Sequence, residues 1–256
     1  MSRHLLVIGA QRCGTTYLHD LLAAHPDVAM ARPARPEPKV FLADELAGRG
    51  KDWYERTYFA HAGNALVLGE KSTSYLEYAE AADRARRVLG DPLILVQLRD
   101  PVRRAISHWA FSSDSGLEQR PLDEVLAANL EGPLAWDATV TSVSPFAYLE
   151  RGRYADALRP WLDVFGPDME VLFLEEMVAD PGRVEGLDRW LGVDPAARPP
   201  VVREPVNRSR RAAPELDGAL LAAVRDYFHD SDRALAELVG RDLPWTRVES
   251  ERSSSL

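Results

Sequence analysis

The segment Gly9-Ala10-Gln11-Arg12-Cys13-Gly14-Thr15-Thr16 has the residue types and spacing of an anion cradle. Gly-x4-Gly followed by Thr-Thr lets backbone N–H groups wrap a phosphate at a helix N-terminus, where the dipole favours an anion. A nucleoside triphosphate loop of this kind carries Lys at the position of Thr15. Here the nearest cation is Arg12, inside the loop, so the expectation is an anion cradle that is not an NTPase site. Arg99-Asp100-Pro101, with Ser107 and His108 following, points the same way. Arg99 can fork onto a phosphate, and Ser107, two helical turns on, adds a hydroxyl donor. Asp100 stands where a magnesium-holding acid would be sought. Directly before Pro101 it is expected to cap a helix instead. Lysine is scarce: of 31 basic residues only Lys39, Lys51 and Lys71 are lysine. A compact, tunable point charge used so sparingly makes those positions candidates for chemistry.

These side chains need elements to hold them. His4–Ile8 is an apolar run ending at Gly9, and Thr15–Ala24 has a helical pattern. Residues 26–40 hold four prolines and read as irregular. A short helix is expected over Lys51–Phe59, a short strand over Leu66–Leu68 and a helix over Tyr75–Leu89. Leu93–Leu98 reads as a second apolar strand, with a helix from Pro101. Tyr154–Phe165 and Gly182–Leu191 read as helices and Glu170–Leu174 as a strand. Pro214–Phe228 and Asp232–Val239 read as two closing helices. Strands separated by helices imply an α/β fold with a parallel sheet flanked by helices. Ligands of such sheets bind at the carboxyl ends of the strands. The expectation is a single domain over residues 1–245, with a polar, Ser-rich tail at 246–256.

Composition bounds the function. Hydrophobic residues make up 46% and charged residues 28%, ordinary for a globular protein. Net charge is -9, which argues against general binding to nucleic acid or to an anionic membrane. No apolar run approaches the ~18 residues of a membrane span. Met1-Ser2-Arg3-His4 leads straight into a strand without a visible secretory signal, and Cys13 is the sole cysteine. A cytoplasmic protein without disulfides is therefore expected. Oligomeric state has no signature in the sequence.

The two anion blocks together resemble the sulfotransferases that use 3′-phosphoadenosine-5′-phosphosulfate (PAPS). The first resembles their 5′-phosphosulfate loop. Arg99-Asp100-Pro101-Val102-Arg103-Arg104-Ala105-Ile106-Ser107 resembles their 3′-phosphate block, Arg-x-Pro-x-x-Arg-Ala-x-Ser. Pro36-Glu37-Pro38-Lys39-Val40-Phe41 resembles a Lys-Glu-Pro-Lys-aromatic-Phe segment, and Gly69–Leu76 a Glu-Lys-Ser/Thr-x-x-Tyr segment. Arg151–Leu158 and Leu238–Trp245 also match, the latter resembling the end of heparan-sulfate sulfotransferase domains and their bacterial relatives. Arg12 stands where the family usually has Lys, and Pro36 where it has a basic residue.

The resemblance implies the P-loop-like sulfotransferase fold and sulfuryl transfer from PAPS, without a metal, to a small-molecule or carbohydrate acceptor. It makes Glu37 the general base, with Lys39 and Lys71 flanking the reacting sulfonate or orienting Glu37. Arg12, Cys13, Gly14, Thr15 and Thr16 would hold the 5′ end, Cys13 as a small loop residue. Arg99 and Ser107 would hold the 3′-phosphate, and Arg208, Arg210 and Arg211 would sit in a lid over PAPS. His108 is the rival base and is read as a packing residue. Residues 40–60 and 111–150 are expected to line the acceptor pocket. The acidic balance favours a compact or neutral acceptor over a long polyanionic glycan. Two rivals stand beside this reading. A P-loop nucleotide kinase lacks its Gly-Lys-Ser/Thr and a clear magnesium acid here. A catalytically silent nucleotide-binding module would have no need of Glu37, Lys39 and Lys71.

Overall fold

The computed structural model describes residues 2–137, 139–200 and 214–246. Arg208, Arg210 and Arg211, and the tail from Arg247, lie outside the described residues. The chain forms two compact units, residues 1–98 with 158–207 and residues 99–157 with 208–256.

The first unit holds the sheet. Its strands are β1 (Arg3–Gly9), β2 (Val28–Met30), β3 (Val67–Lys71), β4 (Leu93–Leu98) and β5 (Glu170–Phe173). They lie in the order β2-β3-β1-β4-β5, and every pairing is parallel. Leu5–Ile8 in central β1 are fully buried on both faces, which is why that strand is an unbroken apolar run. β2 arises inside the proline-rich stretch read as irregular. Its three residues are too short for a visible period, and only pairing with β3 defines them. β3 runs past Leu68 to Lys71, because Gly69, Glu70 and Lys71 continue the ladder on β1.

The helices are α1 (Thr15–Ala23), α2 (Asp44–Ala47), α3 (Gly50–Tyr58), α4 (Ala79–Leu89), α5 (Pro101–Asp114), α6 (Leu122–Leu130), α7 (Tyr154–Phe165), α8 (Leu174–Ala179), α9 (Gly182–Leu191) and α10 (Gly218–Val239). Leu18 and Leu22 of α1 and Leu187 and Leu191 of α9 join Leu5 and Val7 in one core. The parallel α/β architecture is thus as expected. α4 buries Ala81, Ala82, Ala85 and Leu89 and turns its charges to water, the pattern of a helix lying on a core.

In the second unit, α5 starts at Asp100, whose carboxylate accepts from Val102 N at 2.9 Å, with Pro101 in the first turn. Trp109, Leu126, Tyr148 and Phe228 share its core. The two closing helices are one. No Gly or Pro interrupts residues 229–231, and Val224, Phe228, Ser231, Asp232 and Leu235 share a buried face at helical spacing. α10 ends at Gly240, in the left-handed region at φ 66°. The chain then returns so that the Trp245 indole N–H donates to the buried Asp232 carboxylate at 2.8 Å. Among the described residues, no helix is long and apolar enough to cross a membrane.

Candidate active site

The loop after β1 is tied to the neighbouring strand at both ends. Ala10 N donates to Gln97 O at 2.8 Å, and the Gln97 side-chain amide donates to Cys13 O at 2.6 Å. Between these ties, Arg12 and Gly14 adopt the left-handed region at φ 68° and 78°. Left-handed residues next to right-handed ones form the nest in which successive N–H groups converge on an anion. Gly14 is doubly required. Its φ disfavours a side chain, and a Cβ there would lie 2.7 Å from Leu174 Cδ1. α1 begins at Thr15 with no side chain capping it, which suits an anion as the cap. Arg12 is half-buried in the loop, and Cys13 is buried as a small loop residue. Gln97 was not foreseen. Its only sequence signal is one polar residue inside the apolar run Leu93–Leu98.

One strand away, β3 ends in the second cluster. Val7 and Lys71 are register partners, so the loop opening at Gly9 and the side chains after Lys71 leave the same edge of the sheet. The Lys71 ammonium donates to Glu37 Oε1 in a short ion pair, with the two side chains 12% and 16% exposed. Thr73 N donates to Glu37 Oε2 at 2.9 Å, and its hydroxyl lies 3.2 and 3.1 Å from the two oxygens. Three donors therefore fix the carboxylate. Thr73 was missed by sequence reasoning, since nothing marks which residue of Ser72-Thr73-Ser74 would face Glu37.

Beneath this pair lies a buried network. Glu70 accepts from the hydroxyls of Tyr54, Ser72 and Tyr75, each at 2.6 Å. Burial pushes the Glu70 carboxyl above its ordinary range, against the lowering effect of those three hydroxyls, and the nearby Glu37 charge adds to the rise. The Ser72 hydroxyl in turn accepts from Lys39 N at 2.9 Å, and the Tyr75 hydroxyl accepts from Phe41 N at 3.1 Å. Glu37, Lys39 and Lys71 are thereby gathered at the end of β3. Phe41 and Tyr54, expected to line a pocket, are instead fully buried against each other, with ring centroids 5.6 Å apart.

Arg99 and Ser107 belong to the second unit. There the Tyr154 hydroxyl donates to Arg99 O at 2.9 Å, and Ser107 lies on α5. Asp100, besides capping α5, receives two bonds from the Arg225 guanidinium, both at 2.8 Å. An acid so engaged is poorly disposed to hold magnesium. His108 is buried, its ring 4.7 Å from that of Tyr148, in keeping with packing.

A family model described as the sulfotransferase family matches residues 5–58, the stretch that carries the anion loop and Glu37. Mouse heparan sulfate glucosamine 3-O-sulfotransferase 3B1 is 26% identical over 94% of this chain, and the chain spans 64% of that protein's length. Human heparan sulfate glucosamine 3-O-sulfotransferase 6 is 29% identical over 94% of this chain and 72% of its own. A solved sulfotransferase from Alicyclobacillus acidocaldarius superposes with a TM-score of 0.75 at 26% identity, covering 96% of this chain and 99% of that one. With the loop, the carboxylate cluster and the parallel sheet in place, these likenesses agree: over most of its length the chain is similar to sulfotransferases in sequence and in fold.

Proposed function

We propose that this chain transfers a sulfuryl group from PAPS to a hydroxyl or amine of a carbohydrate acceptor. The observation that carries the reading is the Glu37 carboxylate, held by Lys71 and Thr73 on the sheet edge where the anion loop opens. Sulfuryl transfer, like phosphoryl transfer, is a loose in-line displacement in which the protein positions groups and stabilises charge. The acceptor oxygen or nitrogen bonds to sulfur as the bond from sulfur to the phosphate oxygen breaks, leaving adenosine 3′,5′-bisphosphate. The acceptor proton passes to Glu37. A carboxylate has about four lone-pair directions, and three protein donors leave one for that proton. Lys71 has three N–H donors and uses one on Glu37, which leaves two for oxygens that gain charge. Lys39 and Arg12 supply further positive charge, and Gly14, Thr15 and Thr16 hold the 5′ end of the donor. The Arg-x-Pro-x-x-Arg-Ala-x-Ser likeness assigns Arg99 and Ser107 to the 3′-phosphate. Net charge of -9 favours a compact carbohydrate over a long polyanion. A kinase reading is disfavoured by Thr15 in place of the loop lysine and by the engagement of Asp100.

The test is Glu37→Gln, which keeps the shape and removes the charge. Affinity for adenosine 3′,5′-bisphosphate should stay near normal while the transfer rate falls by on the order of 10² or more. Transfer at the normal rate, with chemistry limiting turnover, would remove Glu37 as the base and make His108 the next residue to examine.

A further inference from the structure

Glu70 is fully buried, and among the described residues no cation pairs with it. Burying a carboxylate costs stability that an apolar side chain at the same place would not cost. Three short hydroxyl bonds offset part of that cost, and two of those hydroxyls lead to the reacting segment. We propose that Glu70 is a positioning residue for the transfer step, acting through Ser72 and Tyr75 on the backbone of Lys39 and Phe41. The inference rests on the sulfuryl-transfer reading.

The argument turns on hydrogen-bond polarity. A hydroxyl has one hydrogen and two lone pairs. An acceptor-only carboxylate takes the hydrogens of Ser72 and Tyr75, so both oxygens must present lone pairs elsewhere. Those lone pairs meet Lys39 N at 2.9 Å and Phe41 N at 3.1 Å. Without Glu70 either hydroxyl is free to rotate and donate to a carbonyl, and the two backbone N–H groups lose their acceptors. Lys39 has particular need of the tie, because its φ of 53° places an L-residue in the left-handed region. Lys39 is two residues from Glu37. The end of β3 therefore grips one short segment twice. Lys71 and Thr73 hold the Glu37 carboxylate, and Glu70 sets the Lys39–Phe41 backbone through two hydroxyls.

The network also predicts which substitution preserves function best. Oε1 of Glu70 takes both Ser72 and Tyr75, whereas Oε2 takes only Tyr54. In Glu70→Gln the carbonyl oxygen can keep the two functional arms while the amide nitrogen donates to the Tyr54 oxygen. Glu70→Leu keeps neither arm. Ser72→Ala and Tyr75→Phe each cut one.

Two readouts on the full chain test this: amide hydrogen exchange at Lys39 and Phe41, and kcat for sulfuryl transfer. Ser72→Ala should speed exchange at Lys39, and Tyr75→Phe at Phe41. Each should lower kcat by about 10-fold or more, as expected for a misplaced group, with affinity for adenosine 3′,5′-bisphosphate unchanged. Glu70→Leu should do both, and Glu70→Gln should lose much less than Glu70→Leu. If Glu70→Leu does not fold, the two hydroxyl variants decide. Wild-type kcat in Ser72→Ala and Tyr75→Phe overturns the inference while leaving the sulfuryl-transfer reading intact. So does a parallel fall of kcat, nucleotide affinity and melting temperature, the mark of a purely structural role. A wild-type chain that folds, binds the nucleotide and transfers to no carbohydrate overturns both.

Discussion

A base must be held still and yet keep room for one proton, and on the proposed reading Glu37 meets both demands with donors from a single turn, Lys71 and Thr73. Arg99 has a different task, on the proposed reading, and a different test. Arg99→Ala should weaken adenosine 3′,5′-bisphosphate binding by on the order of 1.5–3 kcal/mol, the worth of a charge-assisted bond, and barely affect AMP. Calorimetric titration with both ligands checks this, and equal losses would show that Arg99 acts through folding or the 5′ end. Glu70 makes a prediction about pH. Burial raises its carboxyl above the ordinary 4.5, so the unfolded chain releases this proton at lower pH than the folded one. The group's contribution to stability is complete below 4.5 and is lost as pH rises through the folded value. Glu70→Gln lacks that slope. In urea unfolding across a pH series, its stability relative to wild type should rise with pH above 4.5, and a fall would contradict the burial argument. Glu37, Lys39 and Lys71 were legible in the sequence because each sits in a contiguous block. Gln97 and Thr73 were not, because their roles are contacts in space: Gln97 meets Cys13 across 84 residues.

Among the elements, the turn from β1 into α1 carries the most constraint. Gly14→Ala would force an L side chain at φ 78° and press a methyl within 2.7 Å of Leu174 Cδ1. A destabilisation of about 1–3 kcal/mol is expected from the backbone alone. Nucleotide affinity should fall with it, because the same distortion moves the loop N–H groups. Thermal unfolding and titration measure the two effects, and wild-type values for both would mean that the loop geometry does not form the cradle. The elements themselves differed in legibility. Leu93–Leu98 and Gly182–Leu191 have the bounds expected, since an apolar run and a glycine stop are local signals. β2 was invisible because three residues among prolines become a strand only beside β3. The break expected between Phe228 and Asp232 is absent from α10, since Ser231 and Asp232 lie on its buried face and Asp232 receives Trp245.

At the scale of the molecule, the proposed reading has an acidic chain handle an anionic donor by concentrating cations at one site. Net charge is -9, yet two of the three lysines lie within the segments that meet at Glu37. Local charge, not total charge, governs such a site. If Arg12, Lys39 and Lys71 stand in for a metal, chelation leaves the reaction intact. The most direct measurement offers radiosulfur-labelled PAPS, in EDTA, to the wild-type chain with a panel of compact glucosaminides. The account predicts label on the sugar and one adenosine 3′,5′-bisphosphate formed for each sulfate moved. A folded chain that binds adenosine 3′,5′-bisphosphate yet leaves all label in PAPS, or that moves phosphate from ATP only when magnesium is restored, would contradict it.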